Sequence, residues 1–409
     1  MNNTVIKKKE LWIVSTDLPN KNFGGAVRTY HIIKNFSTNN YLITLFCCVN
    51  HPTSNLEIKL IEKELGIKIV VANYSRFGFA KKIYTALFKR IIPYMEEYKS
   101  SNISSLLKNK INEKPPDAIL IEQLIGYYPI LEAITVIKIK YPSILIAFDE
   151  HNVEYQLLES MLKSFRLWKK VIGKYILSNL YNLEKYALKE ADIIFTCSNI
   201  DRVILSKEVS MEKIFLLQNG VDVDYFKPTS GKGENSILFM GALDYTPNII
   251  GLKYFLRMIY PYIKNKNIVF YIVGRKPPLW LVNIQKQNPN IIITGYVKDV
   301  REYINKVDVC ICPLINGSGT RLKILEYMSM GKAIVSTSKG AEGIVGIENN
   351  KNAIIADKPR KFAEAIDQLL TNKNLVNELG FNARKLAINN YNWKTVVGQA
   401  EDVLKKHMR

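Results

Sequence analysis

Cysteine and histidine are scarce in this chain, and it contains no uninterrupted apolar run of about 18 residues, the length a membrane-spanning helix needs. The 409 residues include five cysteines and four histidines. Most of the cysteines lie in apolar runs and none has metal-ligand spacing, so we expect buried thiols of a reducing compartment. The start of the sequence lacks the apolar segment and cleavage site of a secretion signal. We therefore expect a cytoplasmic protein.

Acidic residues are also in the minority. Lys and Arg number 57 against 37 Asp and Glu, which gives a formal net charge of +20. Such a charge attracts nucleic acid, anionic lipid headgroups or sugar nucleotides, although a general bias towards Lys explains it equally well. The sequence has no arginine-rich tract and no basic run interleaved with aromatic residues. This argues against nucleic acid as the partner.

Short apolar runs alternate with helical periodicities along the whole chain. Runs that are apolar throughout are typical of strands covered on both faces of a parallel sheet, and the helices between them complete βαβ units. The polar stretch 227–235 divides the runs into two series and is the predicted linker. The runs are 11–15, 42–49, 69–72, 118–121, 144–148, 193–197 and 214–217, then 237–240, 268–273, 291–294, 309–312, 333–336 and 353–356.

Ligands of open α/β sheets bind beyond the carboxyl ends of the strands, so the segments after the runs are the candidate functional segments. After the first run comes a loop with Gly24 and Gly25 that precedes a helix, and after the fifth comes the segment 149–154 with His151. The richest segment is 316–326, which combines a Gly-rich turn, a helix start and charged side chains.

The segment 317–326 has the chemistry of a phosphate site. Amide groups at a glycine loop and a helix N-terminus can face an oxyanion, and the helix dipole favours negative charge there. Arg321 and Lys323 add two positive charges, and Glu326 is suited to accept hydrogen bonds from vicinal hydroxyls such as those of a ribose. The alternative is an ordinary loop with a solvated Arg and Lys. The buried runs that frame the segment favour the phosphate site.

Together these motifs resemble the retaining GT-B glycosyltransferases of family 4, also known as group 1 glycosyl transferases. Each motif is weak alone, but the set follows the family's order along nearly the whole chain. The matching stretches are Gly24-Gly25, Asp149-Glu150-His151-Asn152, Ser198, Asn219-Gly220-Val221-Asp222, Phe239-Met240-Gly241, Val273-Gly274-Arg275, Gly295-Tyr296-Val297, 317–326 and the "MGKAIVST" run.

The resemblance implies two facing Rossmann-like doubly wound domains with the donor in the cleft between them and no required metal or cofactor. The predicted acceptor-side domain covers 1–228, the nucleotide-sugar-binding domain covers 229–390, and a final helix, 391–409, crosses back to the first domain. The implied catalytic residues are His151, Arg321 and Lys323, and the implied donor-binding residues are Gly24, Gly25, Arg275, Tyr296, Val297, Gly319, Thr320 and Glu326.

By the same resemblance, the predicted activity is that of a hexosyltransferase (EC 2.4) in cell-surface polysaccharide or glycoconjugate synthesis. It moves a sugar from a nucleotide-diphosphate donor to a glycan or lipid-linked acceptor with retention. His151 would lie close to the transferred sugar and position it. None of Asp149, Glu150 and Glu154 is assigned as a nucleophile. A sugar-nucleotide epimerase and an inactive binding protein of the same architecture remain the alternatives.

The sequence departs from the family pattern at two places. Ser318 stands where the family often has a glutamate that contacts the donor sugar, and Glu342 is one candidate substitute. After Gly241, where many relatives place Arg and Lys beside the pyrophosphate, this chain has the segment 242–248, which contains Asp244 but no Arg or Lys. Arg321 and Lys323 would then supply most of the positive charge.

Two stretches, 80–99 and 157–189, are rich in Lys and in large apolar residues. A basic amphipathic helix can lie on an anionic membrane surface, which would suit a lipid-linked acceptor and peripheral attachment to the inner face of the membrane. The alternative is that these helices cover the sheet with their apolar faces. That alternative is the commoner arrangement in α/β proteins.

Overall fold

The computed structural model of the chain describes residues 8–20, 24–38, 41–49, 53–162, 167–229, 233, 235–317 and 320–408. The chain divides into two compact units. Unit 1 consists of Met1–Gln218 and Val396–Arg409, and unit 2 consists of Asn219–Thr395.

The sheet of unit 1 has seven strands in the order β3-β2-β1-β4-β5-β6-β7, and every neighbouring pair is parallel. Strands β4 and β5 are fully buried along their length, as the continuous apolar runs predict. The strands are β1 (Lys9–Ser15), β2 (Tyr41–Val49), β3 (Lys68–Asn73), β4 (Ala118–Glu122), β5 (Leu145–Glu150), β6 (Ile193–Thr196) and β7 (Ile214–Leu216).

The sheet of unit 2 has six strands, again all parallel, in the order β10-β9-β8-β11-β12-β13. Both orders reverse beside the first strand of the unit, which is the doubly wound pattern that creates a ligand crevice. The strands are β8 (Ser236–Met240), β9 (Val269–Val273), β10 (Ile291–Gly295), β11 (Val309–Cys312), β12 (Ala333–Ser336) and β13 (Ile354–Ile355). All thirteen predicted strands are confirmed within a few residues.

Helices connect the strands in both units. In unit 1 they are α1 (Gly24–Thr38), α2 (Asn55–Leu65), α3 (Phe79–Tyr84), α4 (Pro93–Lys99), α5 (Ile103–Glu113), α6 (Gln123–Tyr127), α7 (Leu131–Lys140), α8 (Glu154–Leu162), α9 (Leu167–Glu190) and α10 (Asn199–Leu205). The later ones are α11 (Thr246–Tyr254), α12 (Leu279–Gln287), α13 (Arg301–Lys306), α14 (Leu322–Ser329), α15 (Ser338–Ala341), α16 (Pro359–Thr371), α17 (Lys373–Asn390) and α18 (Trp393–His407).

The boundary between the units falls after Gln218, ten residues before the predicted end of the first domain at residue 228. The physical reason is that the chain joins the second core directly after the boundary. Val221 forms a parallel bridge with Asn392, and Val221 and Val223 are buried in the core of unit 2. The predicted linker therefore begins inside unit 2, and its residues 230–232 and 234 lie outside the described residues.

All five cysteines are buried and none of them forms a disulfide, as the apolar runs around them predict. Cys310 and Cys312 lie in β11 at the centre of the second core, and Cys48 belongs to the core of unit 1. Within the ranges that the structure describes, no helix combines the length and the apolar character that crossing a membrane requires.

Candidate active site

Gly241 follows β8, Gly274 lies just after β9, and Gly295 is the last residue of β10. The backbones at these carboxyl ends therefore lie unusually close together. The Gly241 amide donates to the Val273 carbonyl (2.9 Å), and the Gly274 amide donates to the Gly295 carbonyl (3.1 Å). A Cβ atom on Gly274 would lie 1.9 Å from the Gly241 carbonyl oxygen. Any side chain at Gly274 would therefore push this edge apart.

The segment from β11 to α14 runs along the same edge. Arg321 immediately precedes α14, and Gly317 adopts a left-handed φ of 103°. Thr320 is buried, and its hydroxyl donates to the Gly343 carbonyl (3.5 Å). Gly319, predicted to hold the diphosphate, and Ser318 lie outside the described residues.

Lys323 lies in the first turn of α14 and is half-buried. Its Nζ donates to the Asn248 Oδ1 (2.8 Å) and lies 4.1 Å from the centroid of the Phe239 ring. Burial lowers the pKa of the Lys323 ammonium to about 8. Lys323 is thus a cation held by a neutral amide and an aromatic ring, and no carboxylate of the described residues forms an ion pair with its ammonium group.

Glu326 lies three residues after Lys323 on α14, so both side chains are on the same side of the helix. Its carboxylate makes no hydrogen bond or ion pair with any residue in the described ranges. Burial raises the pKa of Glu326 to about 7. A half-buried carboxylate in this state can accept hydrogen bonds from a ligand's hydroxyl groups.

The predicted nucleobase residues follow the neighbouring strands β9 and β10. Tyr296 is 61% exposed, and Val297 packs against the core of unit 2. The Arg275 Nε lies 3.6 Å from the Asp244 Oδ1, and the Lys276 Nζ lies 3.3 Å from its Oδ2. Asp244, one of the departures from the family pattern, is therefore accompanied by two cations.

In unit 1, a buried network connects α1 with the end of β5. The Arg28 Nη2 and Nε donate to the two carboxylate oxygens of Asp149 (2.7 and 3.0 Å), and both residues are buried. Nη2 also donates to the Leu217 carbonyl (2.7 Å). Burial alone would raise the pKa of Asp149, but Arg28 and His151 lower it to about 2. This carboxylate is ionised and neutralised within the unit.

His151 is buried and both of its ring nitrogens are engaged. Because the Asp149 carboxylate can only accept, the His151 Nε2 donates to its Oδ2 (3.1 Å), and in the neutral ring the Nδ1 then accepts from the Gln123 Nε2 (2.9 Å). Gln123 has an unusual positive φ of 63°. The predicted contact of His151 with a sugar would require one of these hydrogen bonds to open.

Glu122, Asp149 and His151 offer ligand atoms within 4.8 Å of one another, an arrangement that a metal ion could use. Their other contacts argue against an ion at this place. Arg28 occupies both oxygens of Asp149, and the Glu122 Oε2 accepts from the Thr29 hydroxyl (2.5 Å). A divalent cation would lie beside a buried guanidinium, so this donor set does not fit a metal.

Glu150 and Glu184, both buried, and the half-buried Glu154 form an acidic group beside this network. Neither oxygen of the Glu150 side chain has a hydrogen-bond partner among the residues that the structure describes, and burial together with Glu184 and Glu154 raises its pKa well above the usual value. Glu184 accepts from the amides of Glu154 (2.6 Å) and Tyr155 (3.2 Å). Burial and the neighbouring carboxyl groups thus favour the protonated form of Glu150.

The structure brings Arg321, Lys323 and Glu326 together at the start of α14, and it places Arg275, Tyr296 and Val297 at the ends of the adjacent strands. In unit 1, Gly24 and Gly25 begin α1. The functional roles given to all of these residues, and to His151 and Thr320, stay predictions.

Sequence reasoning missed Arg28, Glu122, Gln123 and Asn248. The strand-end rule selects Glu122 and Gln123, since they follow the apolar run 118–121, so this signal was in the sequence. Asn248 lies within the segment that departs from the family pattern. Arg28 ends the loop that the strand-end rule selects after the first run, but no sequence signal pairs it with Asp149, which is 121 residues away.

Residues 234–372, which contain the whole edge with α14, match the family model described as "Glycosyl transferases group 1". This part of the chain is therefore similar to the group 1 glycosyl transferases. The matched segment begins near the start of β8 and ends after α16.

Two relatives are similar over part of their length. A Klebsiella pneumoniae protein named "uncharacterized 44.6 kDa protein in cps region" is 28% identical over 39% of this chain and 44% of its own length. The Escherichia coli UDP-Gal:alpha-D-GlcNAc-diphosphoundecaprenol alpha-1,3-galactosyltransferase is 28% identical over 54% of this chain and 62% of its own. The alignments thus cover less than two thirds of either relative.

Solved structures share the fold over nearly the whole chain. Sucrose-phosphate synthase from Thermosynechococcus elongatus has a TM-score of 0.71 at 14% identity and covers 98% of this chain and 99% of its own. Anabaena HepE, solved with UDP, has a TM-score of 0.65 at 14% identity and covers 97% of this chain and 100% of its own. The GT-B fold class is confirmed, and the family match with the named relatives supports the predicted hexosyltransferase class.

Proposed function

We propose that this protein transfers a hexose, with retention, from a UDP-sugar to an acceptor that carries a lipid-linked diphosphate sugar. The observation that carries the proposal is the start of α14, where Arg321 and Lys323 precede a carboxylate, Glu326, that has no partner among the described residues. Cations and amides at a helix start suit a diphosphate, and the carboxylate suits a ribose.

The choice of donor and acceptor rests on similar proteins. HepE was solved with UDP, and the name of the E. coli relative gives UDP-Gal as donor and a sugar on diphosphoundecaprenol as acceptor. In the proposed reaction the anomeric C–O bond to the diphosphate breaks while the acceptor oxygen bonds to the same carbon on the same face. The acceptor proton leaves with the nucleoside diphosphate.

Arg321 and Lys323 would stabilise the negative charge that develops on the leaving diphosphate. Positioning and fixed charges can supply such catalysis without a covalent intermediate. No carboxylate of unit 1 is given the role of nucleophile, because Arg28 neutralises Asp149 and Glu150 is fully buried. The two cations would also take the place of a metal, so the proposal requires no cofactor.

The test combines thermal stabilisation with product analysis. UDP-, GDP- and ADP-sugars are each added to the wild type, to Arg321→Ala and to the charge-matched control Arg257→Ala, an exposed residue of unit 2. We expect UDP-sugars to stabilise the wild type and the control but not Arg321→Ala. With acceptor, the expected products are a glycoside and UDP.

Other outcomes would contradict the proposal. Stabilisation by GDP- or ADP-sugars alone would replace the donor, and an isomerised sugar nucleotide as product would establish an epimerase. If the wild type, Arg321→Ala and Arg257→Ala respond equally to the donor, the diphosphate does not bind at Arg321. If the wild type responds to no donor, the proposed activity is wrong and an inactive scaffold remains.

We also propose that the acceptor is reached at an anionic membrane through a surface of unit 1, here called the 79–90 surface. It consists of α3 and the π-helical turn Thr85–Lys89 that follows it, ending at Arg90. Phe79 is 82% exposed and Phe88 is 73% exposed. The segment 76–95 contains five basic residues, of which Lys82 and Lys89 pair with Glu97 and Glu96 directly after it.

Helix α9 extends this surface. The Arg90 guanidinium lies 4.2 Å from the Tyr175 ring, and Val171 and Lys174 are exposed on the same helix. Exposed aromatic rings surrounded by Lys and Arg suit an anionic lipid surface, which accepts both the apolar and the positive groups. A soluble acidic partner would leave the two phenylalanine rings in water.

Sedimentation with lipid vesicles tests this surface. We expect binding to vesicles with anionic headgroups, weaker binding to neutral ones, and loss of binding at high salt. Phe79→Ser with Phe88→Ser should reduce binding strongly, whereas the control Phe381→Ser, an equally exposed phenylalanine of unit 2 (70%), should not. Equal binding by the double variant and the control would refute the surface.

A further inference from the structure

Asn248 lies in the first turn of α11, directly after Pro247, and is buried (5% exposed). Its backbone N–H donates to the Tyr245 carbonyl (3.0 Å), which closes the turn that leads into the helix. The Asn248 side chain connects two parts of unit 2, the segment after β8 at Ala242 and the first turn of α14 at Lys323, which lies 75 residues after Asn248 in sequence.

The orientation of the Asn248 amide is fixed by its two partners. Its Nδ2 donates to the Ala242 carbonyl (2.8 Å), and its Oδ1 accepts from the Lys323 ammonium (2.8 Å). The reversed amide would place an NH₂ group against the ammonium and an oxygen against the carbonyl, so both contacts would become repulsive. The Ala242 carbonyl therefore holds the Asn248 oxygen towards Lys323.

Gly241 makes room for this pair. It adopts a φ of 153°, and a Cβ atom there would lie 2.7 Å from the Asn248 Nδ2 and 2.8 Å from the Lys323 Nζ. The Phe239 ring, two residues earlier in the sequence, covers the Lys323 ammonium at 4.1 Å. The end of β8 thus contributes an aromatic face and a gap, while α11 contributes the hydrogen-bond acceptor.

We propose that Asn248 is a positioning residue that holds the Lys323 ammonium at the start of α14 for the donor diphosphate. This inference rests on the proposed function and deepens it. A neutral amide suits the task better than a carboxylate, because it fixes the position of the cation without cancelling the charge that the diphosphate needs. It also explains how the segment 242–248 serves this site without an Arg or Lys.

The experiment measures the Kd of UDP, GDP and ADP by calorimetry for the wild type, Asn248→Ala and the control Asn352→Ala. Asn352 is also a buried asparagine of unit 2, with two side-chain hydrogen bonds, to the Gly346 carbonyl and the Glu348 amide. We expect Asn248→Ala to weaken the nucleotide that binds the wild type by about tenfold, as the loss of a hydrogen bond to a charged group would. The control should change the Kd by less than about twofold.

The double variant Asn248→Ala with Lys323→Ala separates positioning from folding. If Asn248 acts through Lys323, removing Asn248 should cost no further affinity once Lys323 is gone. An equal loss in both backgrounds would overturn the inference. Failure of the wild type to bind any nucleotide would refute the proposed function and this inference with it, whereas normal binding by Asn248→Ala would refute the inference alone.

Asn248→Asp supplies a second readout if the alanine variant fails to fold. The new carboxylate would keep the ammonium in place but raise the pKa of Lys323, whose other titratable neighbours are Cys312, Arg321 and Glu326. We expect weaker binding at pH 7.5 and an alkaline loss of affinity that moves to higher pH than in the wild type. An unchanged alkaline limb would contradict the positioning role.

Discussion

The ends of β5 and of β11 carry charged residues in opposite states. At the end of β5, Arg28 neutralises Asp149 inside unit 1, and His151 and Gln123 complete a closed network. Beyond β11, Lys323 has a neutral amide as its partner and Glu326 has none among the described residues. Charges that satisfy one another stabilise the fold, whereas charges held apart by the protein are available to a ligand.

The largest expected effect comes from breaking the closed network. Arg28→Ala should lower the free energy of unfolding by about 3–5 kcal/mol, because it leaves a buried carboxylate without its counter-charge. Lys323→Ala should lower it less, by about 1–2 kcal/mol, since among the described residues it leaves only the neutral Asn248 oxygen without its donor. Urea unfolding measures both. Similar losses in the two variants would remove the distinction between the two regions.

A smaller effect on stability is expected from a change at Glu150, the buried acid beside this network. The pKa of Glu150 is higher in the folded than in the unfolded chain, so the folded state binds more protons and stability falls as pH rises above about 4.5. Glu150→Gln should therefore gain stability relative to the wild type between pH 5 and pH 8, by about 1 kcal/mol or more. A difference that does not change with pH would show that Glu150 is ionised in the folded protein.

The smallest effect concerns the residues beyond β11 and is the change of donor affinity with pH. Glu326, with a pKa of about 7, must be ionised to accept both ribose hydroxyls, and Lys323, with a pKa of about 8, must be protonated to attract the diphosphate. Donor affinity should be greatest between these values and fall about sixfold one pH unit outside them. Calorimetric titrations from pH 6 to pH 9.5 measure this profile, and Glu326→Gln should lose only the acidic limb. Affinity that keeps rising above pH 9 would contradict the assignment.

The strands were predictable because their chemistry is local. A continuous apolar run such as Ala118 to Ile121 can be satisfied only by burial on both faces, so both sheets could be predicted from the sequence. The segment 317–326 was predictable for a related reason, since a Gly-rich turn, two cations and a carboxylate lie within ten residues of one another in sequence.

The partners of the charged residues were not predictable, because they depend on tertiary contacts. Arg28 and Asp149 meet across 121 residues, and Asn248 and Lys323 across 75. His151 illustrates the consequence. The sequence places it correctly after β5, but the hydrogen bonds that occupy both of its nitrogens come from the fold. The boundary at Gln218 was displaced for the same reason, because Val221 pairs with a residue near the end of the chain.

A crystal structure of the protein with UDP tests the central claim most directly. The account predicts the two phosphates within hydrogen-bond distance of the Arg321 guanidinium and the Lys323 ammonium, with the ribose hydroxyls donating to the Glu326 carboxylate. A nucleotide bound elsewhere in the chain, with Glu326 and Lys323 unchanged, would contradict it.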